Sequence, residues 1–173
     1  MQPFRSFYQM KNRNIYQQKQ KLDNLFELAS QKLERSGLVN ELINEIRDPL
    51  SRHLCVLISG FVEQAIRELF VTYANEKSSP NFARYVEITW NRNQNMKQED
   101  LLQLMGSFNS QWHQTLKDFL AIDGRGDALN SIVNLRNSIA HGGTLSSSLV
   151  NVREYYGKIV AIIDYIEDNF TNP

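Results

Sequence analysis

Leu149, Val152, Tyr156, Ile159, Val160, Ile163, Ile166 and Phe170 place the apolar residues of the C-terminal segment three or four positions apart from end to end. That interval is the pitch of an α-helix, which gathers such residues on one face. A half-buried strand instead alternates at every second residue. Elsewhere no run alternates over six residues, so the chain is expected to be all-α, an up-and-down helical bundle with additional short helices and no sheet. Ser146-Ser147-Ser148 supply cap residues just before this last helix.

The same spacing recurs upstream. Leu22, Leu25, Phe26, Ala29 and Leu33 mark an amphipathic first helix that Ser36-Gly37 ends, and a second begins near Leu38. Asp48-Pro49 reads as an N-cap followed by proline at the first helical position. The helix it opens runs to about Lys77 and is apolar on most sides through its first half, so it belongs in the middle of the bundle. Ser79-Pro80-Asn81 breaks the chain before a short aromatic-rich helix, Phe82 to Trp90, and the polar loop Asn91 to Asn95. Two further helices are expected, one over Lys97 to Phe108 and one ending near Ile122. Asp123-Gly124-Arg125-Gly126 reads as a flexible link into the next, which starts at Asp127.

With 173 residues, 42% of them apolar, the chain can bury one core, and one compact domain is expected. Within it, residues 1–37 form a basic arm and first helix, and 38–173 form the main helical body. The longest apolar run, Leu54 to Phe61, is far short of the ~20 residues a membrane span needs, and no apolar leader precedes it. The single Cys55, set among apolar residues, offers neither a disulfide framework nor a thiolate metal site, and a cytoplasmic location is expected. Net charge is zero, which excludes a protein that coats nucleic acid by bulk attraction. Any such contact must be local. Residues 1–22 carry Arg5, Lys11, Arg13, Lys19 and Lys21 without an acid, interleaved with Phe4, Phe7, Tyr8 and Tyr16. This is either a strand-binding segment, with Arg13 and Lys19 as RNA contacts, or a solvated helix face with a few core aromatics.

Chemistry concentrates in Leu135-Arg136-Asn137-Ser138-Ile139-Ala140-His141-Gly142-Gly143. At roughly 100° per residue, Arg136 falls within the apolar stripe of Leu129, Ile132, Val133, Ile139 and Ala140, where a guanidinium needs a carboxylate, carbonyls or a phosphate. His141 precedes two glycines, a strong helix stop, so its imidazole sits at a helix C-terminus, where the macrodipole favours positive charge. Asn137 lies one turn before His141 on the same face. Arg136 is about 140° away and reaches the shared edge through its long side chain, so the trio can converge on one phosphate. Arg47-Asp48-Pro49-Leu50-Ser51-Arg52-His53 has a similar spacing, but Pro49 disfavours one continuous helix there. In the central helix, Ser59-Gly60 permits close helix approach, and Glu63 is either a partner for Arg136 or a solvated side chain. Gly124-Arg125-Gly126 is too short for a phosphate loop and leaves Arg125 either as an exposed cation near the site, a further RNA contact, or simply as part of a loop. His53, His113 and His141 show no paired metal spacing, so neither a metal centre nor a cofactor is expected.

Two of these segments, Val56-Leu57-Ile58-Ser59-Gly60-Phe61-Val62-Glu63 and Leu135 to Gly142, resemble HEPN domains, particularly the RiboL-PSP-HEPN group, over about Leu38 to Phe170. The Arg, polar residue and His in one helix are similar to that family's recurring motif, and the Ser-x-x-x-Glu of the central helix is a secondary match. The resemblance implies an all-helical, usually dimeric protein, and in many cases a metal-independent endoribonuclease whose two motif copies face each other across the homodimer. Carried over, Arg136 and His141 are the catalytic pair, with Asn137, Glu63 and Ser59 in support and RNA as substrate. Some members carry a tyrosine two positions after the histidine, modified by a nucleotidyltransferase antitoxin; here that position is Gly143. Members commonly serve in defence or toxin-antitoxin settings, which implies an antitoxin as a second partner. The other reading is a non-catalytic helical interaction module, in which Arg136 is a buried structural partner of Glu63.

Overall fold

The computed structural model describes residues 10–35, 40–90, 95–143 and 147–171, and over these the chain is helical without a strand. The helices are α1 (Arg13–Arg35), α2 (Asn40–Lys77), α3 (Pro80–Thr89), α4 (Gln98–Phe108), α5 (Ser110–Ala121), α6 (Arg125–Ala140) and α7 (Leu149–Ile166). A 3-10 turn, Ile122–Gly124, leads into α6, and a π turn, Glu167–Thr171, continues α7. Arg5, Phe4, Phe7 and Tyr8 of the basic arm, the Leu33 side chain, the Ser36-Gly37 stop, Leu38, residues 91–94 and Ser146 lie outside the described residues.

Helix α2 is the hub, packing on α1, α3, α6 and α7. Its Leu54, Cys55, Ile58, Ala65, Ile66 and Phe70 have no exposed surface, so its apolar character on most sides has its cause in neighbours on most sides. Burial also pushes the Cys55 thiol up to about 11, as expected of a core residue.

Pro49 does not begin a helix. It lies inside α2, on an exposed turn between exposed Asp48 and half-buried Leu50. An interior proline costs roughly 3 kcal/mol, whereas each fully buried leucine or isoleucine contributes about 1.5–3 kcal/mol. Leu54, Ile58 and Ile66 together therefore outweigh the break, and a solvent-facing turn tolerates the lost N–H. The Arg47 and His53 pair consequently does sit on one continuous helix, with both side chains exposed.

The expected α4, α5 and α7 appear with their boundaries close to the apolar pattern, and Ser148 caps α7 by accepting the Asn151 N–H at 3.2 Å. Helix α1 starts at Arg13, so the basic arm is helix from that residue on. Its Ile15 and Leu22 enter the core, while Arg13, Tyr16 and Lys21 are exposed.

Candidate active site at the tail of α6

The segment before α6 is a tight turn, with consecutive left-handed residues at Asp123 (φ 57°) and Gly124 (φ 63°). This replaces the flexible link expected there. The first turn of α6 presses on α4: Gly126 is buried, and a side chain there would collide with the Gln98 amide. Asn130 then accepts the Gln98 backbone N–H at 3.0 Å, satisfying a donor at the start of α4 that its own helix leaves open. Leu129, Ile132 and Val133 complete the anchorage by entering the core.

Burial fades toward the other end. Arg136, Asn137, Ser138 and Ile139 are half-buried, and Ala140 and His141 are exposed. The apolar stripe that predicts a buried Arg136 therefore runs out of bundle before it reaches that residue. Its guanidinium keeps contact with water, and the desolvation penalty is correspondingly smaller.

The tail is closed by backbone alone. The Gly142 N–H donates to the Ile139 carbonyl at 3.1 Å and the Gly143 N–H to the Ser138 carbonyl at 2.8 Å, the paired bonds of a Schellman motif. Gly142 takes φ 75°, a conformation that strains any residue with a Cβ, and a Cβ on Gly143 would come within 2.9 Å of the Ser138 carbonyl oxygen. Both glycines are thus required by geometry, and together they hold His141 as the C-cap, its own N–H donating to the Asn137 carbonyl at 3.1 Å.

Arg136 donates from Nη1 to the Asn137 side-chain oxygen at 3.1 Å, which draws the guanidinium toward the edge that Asn137 shares with His141. Among the described residues no carboxylate lies within ion-pair distance of Arg136. Glu63 does not serve it. The Glu63 carboxylate accepts the backbone N–H of Asn95 at 2.9 Å, and Asn95 holds a left-handed φ of 64°, so Glu63 steadies the strained turn ahead of α4. Ser59 is buried with its hydroxyl unpartnered and makes no described contact with Arg136.

The three proposed RNA-contacting cations behave differently from one another. Arg13 is exposed. Lys19 is buried and tied to Asp23 at 2.6 Å. Arg125 is half-buried, stacked over the Phe119 ring at 4.1 Å with Nη1 donating to the Phe119 carbonyl at 3.2 Å, and Phe119 in turn stacks on Tyr165 at 3.7 Å. Arg125 is a clamp between α5 and α6, not a free cation. Among the described residues no three His, Cys, Asp or Glu side chains are grouped to hold a metal ion.

Sequence reasoning missed a polar network at the far end of α7. The Tyr156 hydroxyl donates to Asp23 at 2.8 Å, and burial together with Asp23 raises its pKa. Glu167, almost wholly buried, accepts the backbone N–H groups of Lys11 at 2.9 Å and Asn12 at 2.6 Å. Asp164 is buried with one oxygen unpartnered. Burial first, then Asp168 and Glu167, push its carboxyl up to about 7 against the pull of Lys19. Two acids in an otherwise apolar helical repeat were the visible signal.

The family model described as RiboL-PSP-HEPN matches residues 13–172, from the first residue of α1 to one residue past the π turn. No curated protein and no solved structure matches the chain. Among the described residues no helix is long and apolar enough to cross a membrane.

Proposed function

The chain belongs to the RiboL-PSP-HEPN family, whose HEPN domains are often RNases, and on that premise we propose that it is an endoribonuclease acting without a metal at Arg136 and His141. The observation that carries this reading is the unsaturated tail of α6. A half-buried guanidinium and an exposed imidazole have no carboxylate partner among the described residues, on a turn whose backbone is closed. Cations left without an internal counter-charge at a pre-shaped edge suit a phosphodiester.

In the proposed reaction a ribose 2′-hydroxyl attacks its own 3′-phosphate. The new P–O2′ bond forms as the P–O5′ bond breaks, giving a 2′,3′-cyclic phosphate and a 5′-hydroxyl. His141 moves the proton as general acid or base, Arg136 neutralises the charge that grows on the non-bridging oxygens, and Asn137 orients the guanidinium. A DNA strand lacks the attacking group and is not cut. In this reading two α6 tails meet across a homodimer, and the setting is a cytoplasmic defence or toxin-antitoxin system with an antitoxin as regulator. The other reading is a non-catalytic helical interaction module; Arg136 is not paired with Glu63, whose carboxylate accepts the Asn95 N–H.

The test is incubation of the purified chain with single-stranded RNA in EDTA. Cyclic-phosphate ends that disappear in both Arg136→Ala and His141→Ala, with melting temperatures held, support the enzyme. RNA left intact across varied sequences by the wild type removes it.

A further inference from the structure

Three asparagines punctuate α6 at Asn130, Asn134 and Asn137, and at 3.6 residues per turn they share one stripe with His141. Asn134 and His141 differ by only about 20° around the axis and about 10 Å along it. Asparagine is a poor helix former, because its side chain competes for backbone hydrogen bonds, so each one in mid-helix calls for a reason. Two have one. Asn130 accepts the Gln98 N–H, and Asn137 accepts from Arg136. Asn134 is exposed and has no hydrogen-bond partner among the described residues, although it lies between the other two on the same face.

Resting on the nuclease reading above, we propose that Asn134 is a specificity-determining residue that reads a base flanking the scissile linkage, with adenine the base it favours. A carboxamide offers a donor and an acceptor side by side, which match the N7 acceptor and N6 donor of adenine in a bidentate pair. A single strand leaves that edge open, and its recognition runs through such base hydrogen bonds. An axial offset of about 10 Å from His141 puts Asn134 beyond the reacting phosphate and within reach of a neighbouring nucleotide. Helix α6 is anchored at this level by buried Ile132 and Val133, so the amide is presented from a rigid support.

The experiment uses the full chain and RNA oligonucleotides that differ only at the bases flanking the cut, scored by kcat/KM. Wild type is expected to favour adenine at one flanking position by about tenfold, the worth of one good bidentate pair. Asn134→Ala is expected to level that position while leaving the other sequences unchanged and the melting temperature the same or slightly higher, alanine being the better helix former. Asn134→Asp, now only an acceptor, is expected to shift the preference toward the N4 donor of cytosine. An unchanged base ratio in both variants overturns the role of Asn134 while cleavage itself stands. A parallel arm measures binding of 2′-O-methyl RNA, which cannot react, by fluorescence anisotropy. The same adenine preference, lost in Asn134→Ala, supports the proposal even where turnover is too slow to score. RNA neither cut nor bound by the wild type removes the nuclease reading and this proposal together.

Discussion

The two ends of the bundle treat charge in opposite ways. Where α1 meets the end of α7, the polar groups are largely partnered inside the protein: Lys19 with Asp23, Tyr156 with Asp23, Lys11 with Asp168, and the Glu167 carboxylate with two backbone donors. At the tail of α6, the side-chain hydrogen bond that Arg136 makes among the described residues goes to its neighbour Asn137, and His141 and Asn134 are exposed. Most of the groups at the first end find partners inside the fold, because a buried polar atom left alone is costly. Groups that meet a ligand are left with valence to spare. The proposed function rests on unsatisfied hydrogen-bonding capacity beside a closed backbone rather than on charge alone.

That contrast predicts that substitutions at one end remove activity and at the other remove stability. The largest effect is expected at the open end. Arg136→Ala and His141→Ala should each lower RNA cleavage by about 10²–10⁴-fold while shifting urea midpoints little, since neither side chain has a saturated internal partner. A large loss of stability in His141→Ala would break the comparison. At the saturated end, Glu167→Ala strands the Lys11 and Asn12 N–H groups and should cost about 2–3 kcal/mol in urea unfolding, with cleavage retained below the melting point.

Asp164 is an imperfectly partnered member of that first end, and it sharpens the comparison. Its carboxyl titrates at about 7 when folded against an ordinary value near 3.8, so between those limits the folded chain holds a proton that the unfolded chain has lost. Stability attached to this group is therefore full at the acid side of that window and falls as pH rises through about 7. Asp164→Asn, neutral at every pH, should raise stability by about 1–2 kcal/mol at pH 8 and by much less at pH 5, read from unfolding curves at the two values. An equal gain at both would show that ionisation of Asp164 is not the cause. The smallest effect is at Gly142→Ala, where φ 75° carries a penalty of about 1 kcal/mol, together with reduced cleavage as the C-cap shifts His141.

Much of this was legible in the residues. The apolar spacing of α7 and the His141-Gly142-Gly143 stop report local geometry, and local geometry is what a sequence writes most directly. Pro49 was misleading because its rule is local while the outcome is set by burial of α2 several turns away. For Arg136, the stripe correctly identified a face of α6, but where the bundle stops covering that face depends on the other helices. For Glu63 the residues leave open a pairing with Arg136 or a solvated side chain; the donor that claims it lies at Asn95, ahead of α4, where no periodicity points. The bonds from Glu167 span more than 150 positions of chain and have no short-range signature at all.

The main-chain closure at Ser138 to Gly143 also bears on thermodynamics of association. Since that turn is already frozen by its own amides in the free protein, a ligand arriving there orders only side chains, and the entropic penalty of docking shrinks to a few rotors. Calorimetry of an unreactive oligonucleotide should accordingly show a smaller unfavourable entropy for the wild type than for a variant in which the turn has been loosened.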